Sequence, residues 1–172
     1  MKSITSYLDF TLMLQQAGIG KPLYEIRFGD ELLGSIRMSR LWNSRAEAVS
    51  ADGVWSFDRQ GLFKTKITAH AQNGDIIAAY QPRSFKRPGS MTIGEKETYS
   101  VKIAVFRNTF DISSHFDNQV IHFQNHGIVR FRSEITFSRS VKHIQQFPLI
   151  FFFSCYILLL HRRDAKRRSA AI

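Results

Sequence analysis

Apolar and polar residues alternate along most of the first 140 positions, and turn signals interrupt the alternation at short intervals. Leu8, Phe10, Leu12 and Leu14 alternate with polar or smaller residues, the period of a strand with one buried face. The pattern predicts further strands at 23–28, 32–38, 45–49, 54–59, 63–70, 76–80, 91–93, 98–106, 110–113, 118–124 and 129–138. The last is the cleanest. Val129, Phe131, Ser133, Ile135 and Phe137 share one face, and Arg130, Arg132, Glu134, Thr136 and Ser138 the other. Gly29-Asp30, Asp52-Gly53, Gln60-Gly61, Asn73-Gly74 and Asn125-His126-Gly127 mark turns between these runs. Gly34 lies inside a strand pattern, which signals a bulge or a close backbone approach.

No long amphipathic helix interrupts this series. Short connections between consecutive strands imply antiparallel pairing. So many strands in one sheet curl or close, and closure removes the exposed edges. The expectation is a mainly β protein, a closed antiparallel β-barrel of about 12 strands.

The pattern changes at residue 147. Positions 147–160 read FPLIFFFSCYILLL, fourteen residues without a charge, followed by His161, Arg162, Arg163 and Asp164. Pro148 suits a first helical turn, and the arginines suit a helix C-terminus. A helix apolar on every face must be enclosed. Three readings remain: a core helix, a short membrane anchor whose flanking cations snorkel, and a buried strand. Length favours the core helix, since a span needs about twenty apolar residues. A twelve-stranded barrel has an interior that one helix over 147–163 could fill.

The chain has 172 residues, 15 of them phenylalanine, which favours a packed core over long disorder. The division expected is a barrel domain over 1–164 and a basic tail over 165–172. The single cysteine, Cys155, excludes an intrachain disulfide or a cysteine-rich metal site. Asp9 interrupts the N-terminal apolar stretch, so no signal peptide is expected. Net charge is +10, a balance that favours anionic surfaces.

Candidate chemistry is sparse. The six histidines show no ligand spacing; His122 and His126 are four apart but in a strand-then-turn context. Cys155 has apolar flanks, unlike a nucleophilic thiolate. Glu95 and Glu97 share a turn or strand face, and nothing sets the cleft an acid–base pair needs. No hydrolase or phosphate-loop motif occurs. No catalytic residue, metal ligand or cofactor is therefore assigned. Basic residues give the one lead: Arg83, Lys86 and Arg87 in a proline-containing loop, Lys64 and Lys66 on one strand, Arg130 and Arg132 on another. They form either a solvated face or a patch for phospholipid headgroups. Nucleic acid fits less well, because the phenylalanines alternate away from these cations and offer no stacking platform beside them.

Tyr24-Glu25-Ile26 with Leu33-Gly34-Ser35-Ile36, Trp55-Ser56-Phe57, Lys66-Ile67 before Gly74-Asp75-Ile76-Ile77, and the run 147–168 together resemble the tubby C-terminal-like superfamily. That superfamily includes the LURP-one-related proteins and the phospholipid scramblases. The resemblance is one of layout over most of the chain. It implies a barrel wrapped around a hydrophobic C-terminal helix. Tubby proteins bind phosphoinositides through basic residues, but no such site aligns here residue by residue. Scramblases carry an acidic calcium-binding segment beside the helix; here only Asp164 and basic residues stand there. In brevity and in ending soon after the helix, the chain resembles bacterial members of the superfamily, many of which have no assigned activity.

The functional expectation is a non-enzymatic barrel associating with anionic lipid or another ligand. The alternatives are a structural or protein-interaction module, and an enzyme without a recognisable motif. The expected location is cytoplasmic and peripheral to a membrane, with C-terminal anchoring as the alternative. The sequence identifies no protein partner.

Overall fold

The computed structural model describes the chain outside residues 40–43, 61–65, 84–86, 96, 105–106, 128–129 and 171–172. Twelve strands form one closed antiparallel barrel: β1 (Leu12–Gln16), β2 (Leu23–Phe28), β3 (Glu31–Met38), β4 (Ala46–Ser50), β5 (Gly53–Gln60), β6 (Lys66–His70), β7 (Ile76–Gln81), β8 (Gly89–Ile93), β9 (Glu97–Ala104), β10 (Thr109–Ser113), β11 (Ile121–His126) and β12 (Arg132–Phe137). Each strand pairs with its neighbours in sequence, and β1 closes on β12 with Leu12 opposite Ile135 and Leu14 opposite Ser133. A bulge lies between Ile26 and Arg27, where β2 faces β3 next to Gly34.

The core is the barrel interior filled by α1 (Phe147–Ser169). Alternation puts Leu12 and Leu14, Ile36 and Met38, Ala46 and Ala48, Phe110 and Ile112, and Ser133 and Ile135 inside, all buried. Every residue of α1 from Leu149 to Leu160 is buried, so the helix is enclosed on all faces. Its aromatic side meets β5. Trp55 stacks on Phe152 at 5.3 Å and Phe57 on Tyr156 at 5.0 Å between ring centroids. Small residues on neighbouring strands, Gly34, Ala46, Ala48, Ala69 and Ala78, leave room for those rings. Among the described residues no helix is long and apolar enough to cross a membrane.

Several boundaries differ from the sequence reading, and three of them have a cause that the contacts show. The alternation from Leu8 does not make one strand: a 3₁₀ helix (Ile4–Tyr7) comes first, and β1 begins at Leu12. The Ile4 N–H donates to Asp52 Oδ2 at 2.9 Å, so a long-range contact fixes the short helix and seats Ile4 in the core. Phe10, expected inside, is 49% exposed. β11 begins at Ile121 instead of 118, because Ser114 Oγ and Asp117 Oδ1 accept from the backbone of Phe116, Asp117 and Gln119 and hold that stretch as a turn. The helix continues past 163 to Ser169, so most of the expected basic tail is helical. Lys166, Arg167 and Arg168 in the last turn offset the partial negative charge of its terminal carbonyls. Phe63, Phe106 and Val129, assigned to strands from sequence, lie outside the described residues.

Candidate functional site

Antiparallel order sorts the connections onto two ends. α1 enters at one, where Phe147 packs on Phe137 at 5.4 Å, and leaves at the other. At the exit, Asp164 pairs with Arg59 of β5, Arg163 Nη1 donates to Ser39 O at 3.4 Å, and the Arg162 guanidinium lies 4.6 Å over the Phe131 ring.

The strand connections of these two ends differ in charge, although Lys2, Arg139 and Lys142 also stand exposed at the entry end. Lys21, Arg45, Arg83, Arg87, Arg107 and Arg130 stand in the exit-end connections, all exposed, with no carboxylate among the described residues there. Lys66 and Arg132 are the first residues of β6 and β12 at the same end. The helix adds Arg162, Arg163, Lys166, Arg167 and Arg168. Asp30, Asp52, Asp75, Glu95 and Asp117 stand in the entry-end hairpin connections, with no Lys or Arg among the described residues there.

The described basic residues singled out from sequence therefore share an end but not a patch. Lys66 opens β6 next to β7, whose following connection carries Arg83 and Arg87. Arg130 and Arg132 lie at β12, across the barrel, and Arg130 Nε donates to Gln16 O at 2.9 Å. Lys64 and Lys86 lie outside the described residues. Sequence reasoning missed the cations on α1 as part of the same surface, placing Arg162 and Arg163 at the helix C-terminus and Lys166, Arg167 and Arg168 in a tail. The signal was there: Arg162 and Lys166, and Arg163 and Arg167, are i,i+4 pairs that share helix faces.

A cleft of about 530 Å³ opens between the last turns of α1 and the rim of β1–β3. Lys21, Arg162, Arg163, Lys166 and Arg167 line it, together with Tyr24 and with no carboxylate among the described lining residues. Arg163 Nε and Nη2 are sealed from solvent and have no hydrogen-bond partner among the described residues. His161, two residues back, is held below the usual histidine range by burial.

A wider groove of about 820 Å³ lies along β3–β6, with Arg37, Arg45, Glu47, Ser56, Asp58 and His70 among its residues. Ser56, His70 and Asp58 are neighbours on β5 and β6, an arrangement that invites comparison with a hydrolase triad. The bonding rules it out. His70 Nδ1 faces Gly74 O at 3.1 Å, while Nε2 faces Thr68 Oγ1 at 3.0 Å and Asp58 Oδ1 at 3.3 Å. No ring nitrogen remains to take a proton from Ser56.

The other candidates have structural settings. Cys155 is buried inside the barrel, and burial pushes its thiol up, away from reactivity. His122 Nδ1 lies 2.6 Å from Asp111 Oδ1, and His126 Nε2 lies 3.8 Å from Glu134 Oε1. Glu97 accepts from the Tyr99 hydroxyl at 3.1 Å. Among the described residues no group of three or more histidine, cysteine or carboxylate side chains is placed to hold a metal ion. Comparison with protein-family models, with curated proteins and with solved structures finds no match.

Proposed function

We propose that this chain is a non-catalytic barrel of the tubby C-terminal-like kind that associates with an anionic phospholipid surface through its helix-exit end. The observation that carries the reading is the division of charge between the two ends. Net charge alone would scatter cations over the whole surface. Here the described exit-end connections hold only cations, and the helix delivers five more to the same place. Each Lys or Arg near an anionic leaflet contributes on the order of 1 kcal/mol, so a rim of this kind binds without a deep pocket. The opposite end, with its acidic turns, faces away from the membrane and sets the orientation of approach.

The alternative of an enzyme has no support in the groove by β5 and β6, where the one histidine has both nitrogens engaged. The test is flotation with vesicles of phosphatidylcholine alone and of phosphatidylcholine with phosphatidylserine. The protein is expected to float only with the anionic vesicles and to be released by high salt. Equal flotation with both, or with neither, contradicts the proposal.

A further inference from the structure

The entry end holds apolar side chains that the fold leaves uncovered. Phe116 in the β10–β11 connection is fully exposed, and Ile76 at the start of β7 and Phe10 ahead of β1 are about half exposed. Phe10 is held in place, its ring 4.9 Å from that of Phe28, which lies 5.2 Å from Tyr7. Among the described residues with large exposed apolar side chains, only Ile19 stands at the exit end. A single exposed phenylalanine needs no explanation, but several gathered at one end mark a contact surface.

Charge at this end selects what covers them. Asp75 precedes Ile76, and Asp117 follows Phe116. Lys2 is paired with Glu31 at 3.2 Å and Lys142 with Asp9 at 2.7 Å, which leaves Arg139 as the remaining cation among the described residues there. Asp30, Asp75 and Glu95 are exposed in the hairpin connections and make no ion pair among the described residues. A partner for this end therefore carries cations around an apolar contact. The exit end of the chain itself has that form: Ile19 is exposed in the β1–β2 connection beside Lys21, and the last turns of α1 expose Lys166 and Arg168.

We infer that copies of this chain associate head to tail, the exit end of one seated on the entry end of the next. Such a contact is heterologous: every assembly keeps one free end of each kind, so it grows instead of stopping at a pair. The net charge of +10 opposes association, and distance decides which effect wins. α1 has 23 residues and runs from one end to the other, about 35 Å at the helical rise. The Debye length at physiological salt is about 8 Å. Repulsion between the basic ends of successive copies is screened over that distance, while unlike ends in contact act within one Debye length. Pairing of copies needs no lipid, so it stands or falls apart from membrane association.

Sedimentation velocity of the whole chain, without lipid and at physiological salt, tests this. The mean mass is expected to climb with concentration past that of a dimer and to return to that of a monomer at high salt. Asp30→Lys, Asp75→Lys and Glu95→Lys together reverse three exposed entry-end carboxylates, and cooperative melting shows that the variant folds. Alone it is expected to stay monomeric. It keeps the natural exit end, so an unlabelled excess should cap assemblies of fluorescently labelled natural protein and shorten them. Phe116→Ser leaves the charge unchanged and is expected to weaken association several-fold. Natural protein that stays monomeric at every concentration, a mass that stops at a dimer, or labelled assemblies that the excess variant leaves unchanged would each overturn head-to-tail pairing.

Discussion

Gly34 of β3 lies against the ring of Phe152 on α1: a Cβ at position 34 would stand 2.6 Å from Phe152 Cζ and 3.1 Å from the Val49 carbonyl oxygen. The ring itself is fixed on its other side by Trp55. Neither neighbour can yield cheaply, so Gly34→Ala is expected to destabilise the protein by about 1–3 kcal/mol, as overpacking of a filled core does. Denaturant midpoints measure it. The cost should shrink in a Phe152→Leu background, and a double-mutant cycle reads the interaction energy. Equal cost in both backgrounds would place the strain elsewhere.

The barrel cannot stand without its helix. Leu14, Ile26, Ile36, Phe57, Phe110 and Phe123 face the interior, and α1 is what fills it. Removing residues 147–172 exposes those faces, and at about 25 cal/mol per Å² the loss exceeds the roughly 5–15 kcal/mol that holds a typical domain together. The fragment 1–146 is expected to be insoluble or unfolded. A soluble fragment that melts cooperatively would show that α1 is dispensable to the core.

His161 gives the stability a slope with pH. Burial lowers its pKa in the folded protein, opposed by Asp164 and reinforced by Arg168 and Arg59. The unfolded chain then binds more protons than the folded one once pH falls below the ordinary value of 6.5. The contribution of His161 is complete above pH 6.5 and is lost as pH drops from there toward its lower folded value. Thermal melts are expected to fall with acidification below pH 6.5, before the carboxylates titrate. His161→Gln should flatten that part of the profile, and an unchanged slope would assign it to another group.

Much of this architecture was legible in the residues. Strict alternation at Leu12 and Leu14 and at Phe131, Ser133 and Ile135 marked inward faces, and Gly34 marked the close approach. The uncharged run from Phe147 marked the enclosed helix. What failed were features set at long range. The 3₁₀ helix at Ile4 depends on Asp52, distant in sequence, and no local period encodes it. The basic end was missed for a similar reason. Arg83, Arg87, Arg130 and Arg132 read as separate clusters, because only strand order shows that their connections face the same way. The buried, unpartnered Arg163 Nε and Nη2 were invisible too, since their burial exists only once the helix is seated against Ser39.

The most direct test of the polarised barrel compares two variants of equal charge. Arg83→Glu, Arg87→Glu and Arg132→Glu reverse three exposed cations at the exit end; Lys2→Glu, Arg139→Glu and Lys142→Glu reverse three exposed cations at the entry end. Exposed charges contribute little to stability, so both should melt close to the natural protein. The measurement is the vesicle-bound fraction on phosphatidylserine-containing membranes at low salt. The account predicts that the exit-end variant loses binding while the entry-end variant binds like the natural protein. Equal loss in both would mean that net charge alone governs association and would contradict a membrane-facing end.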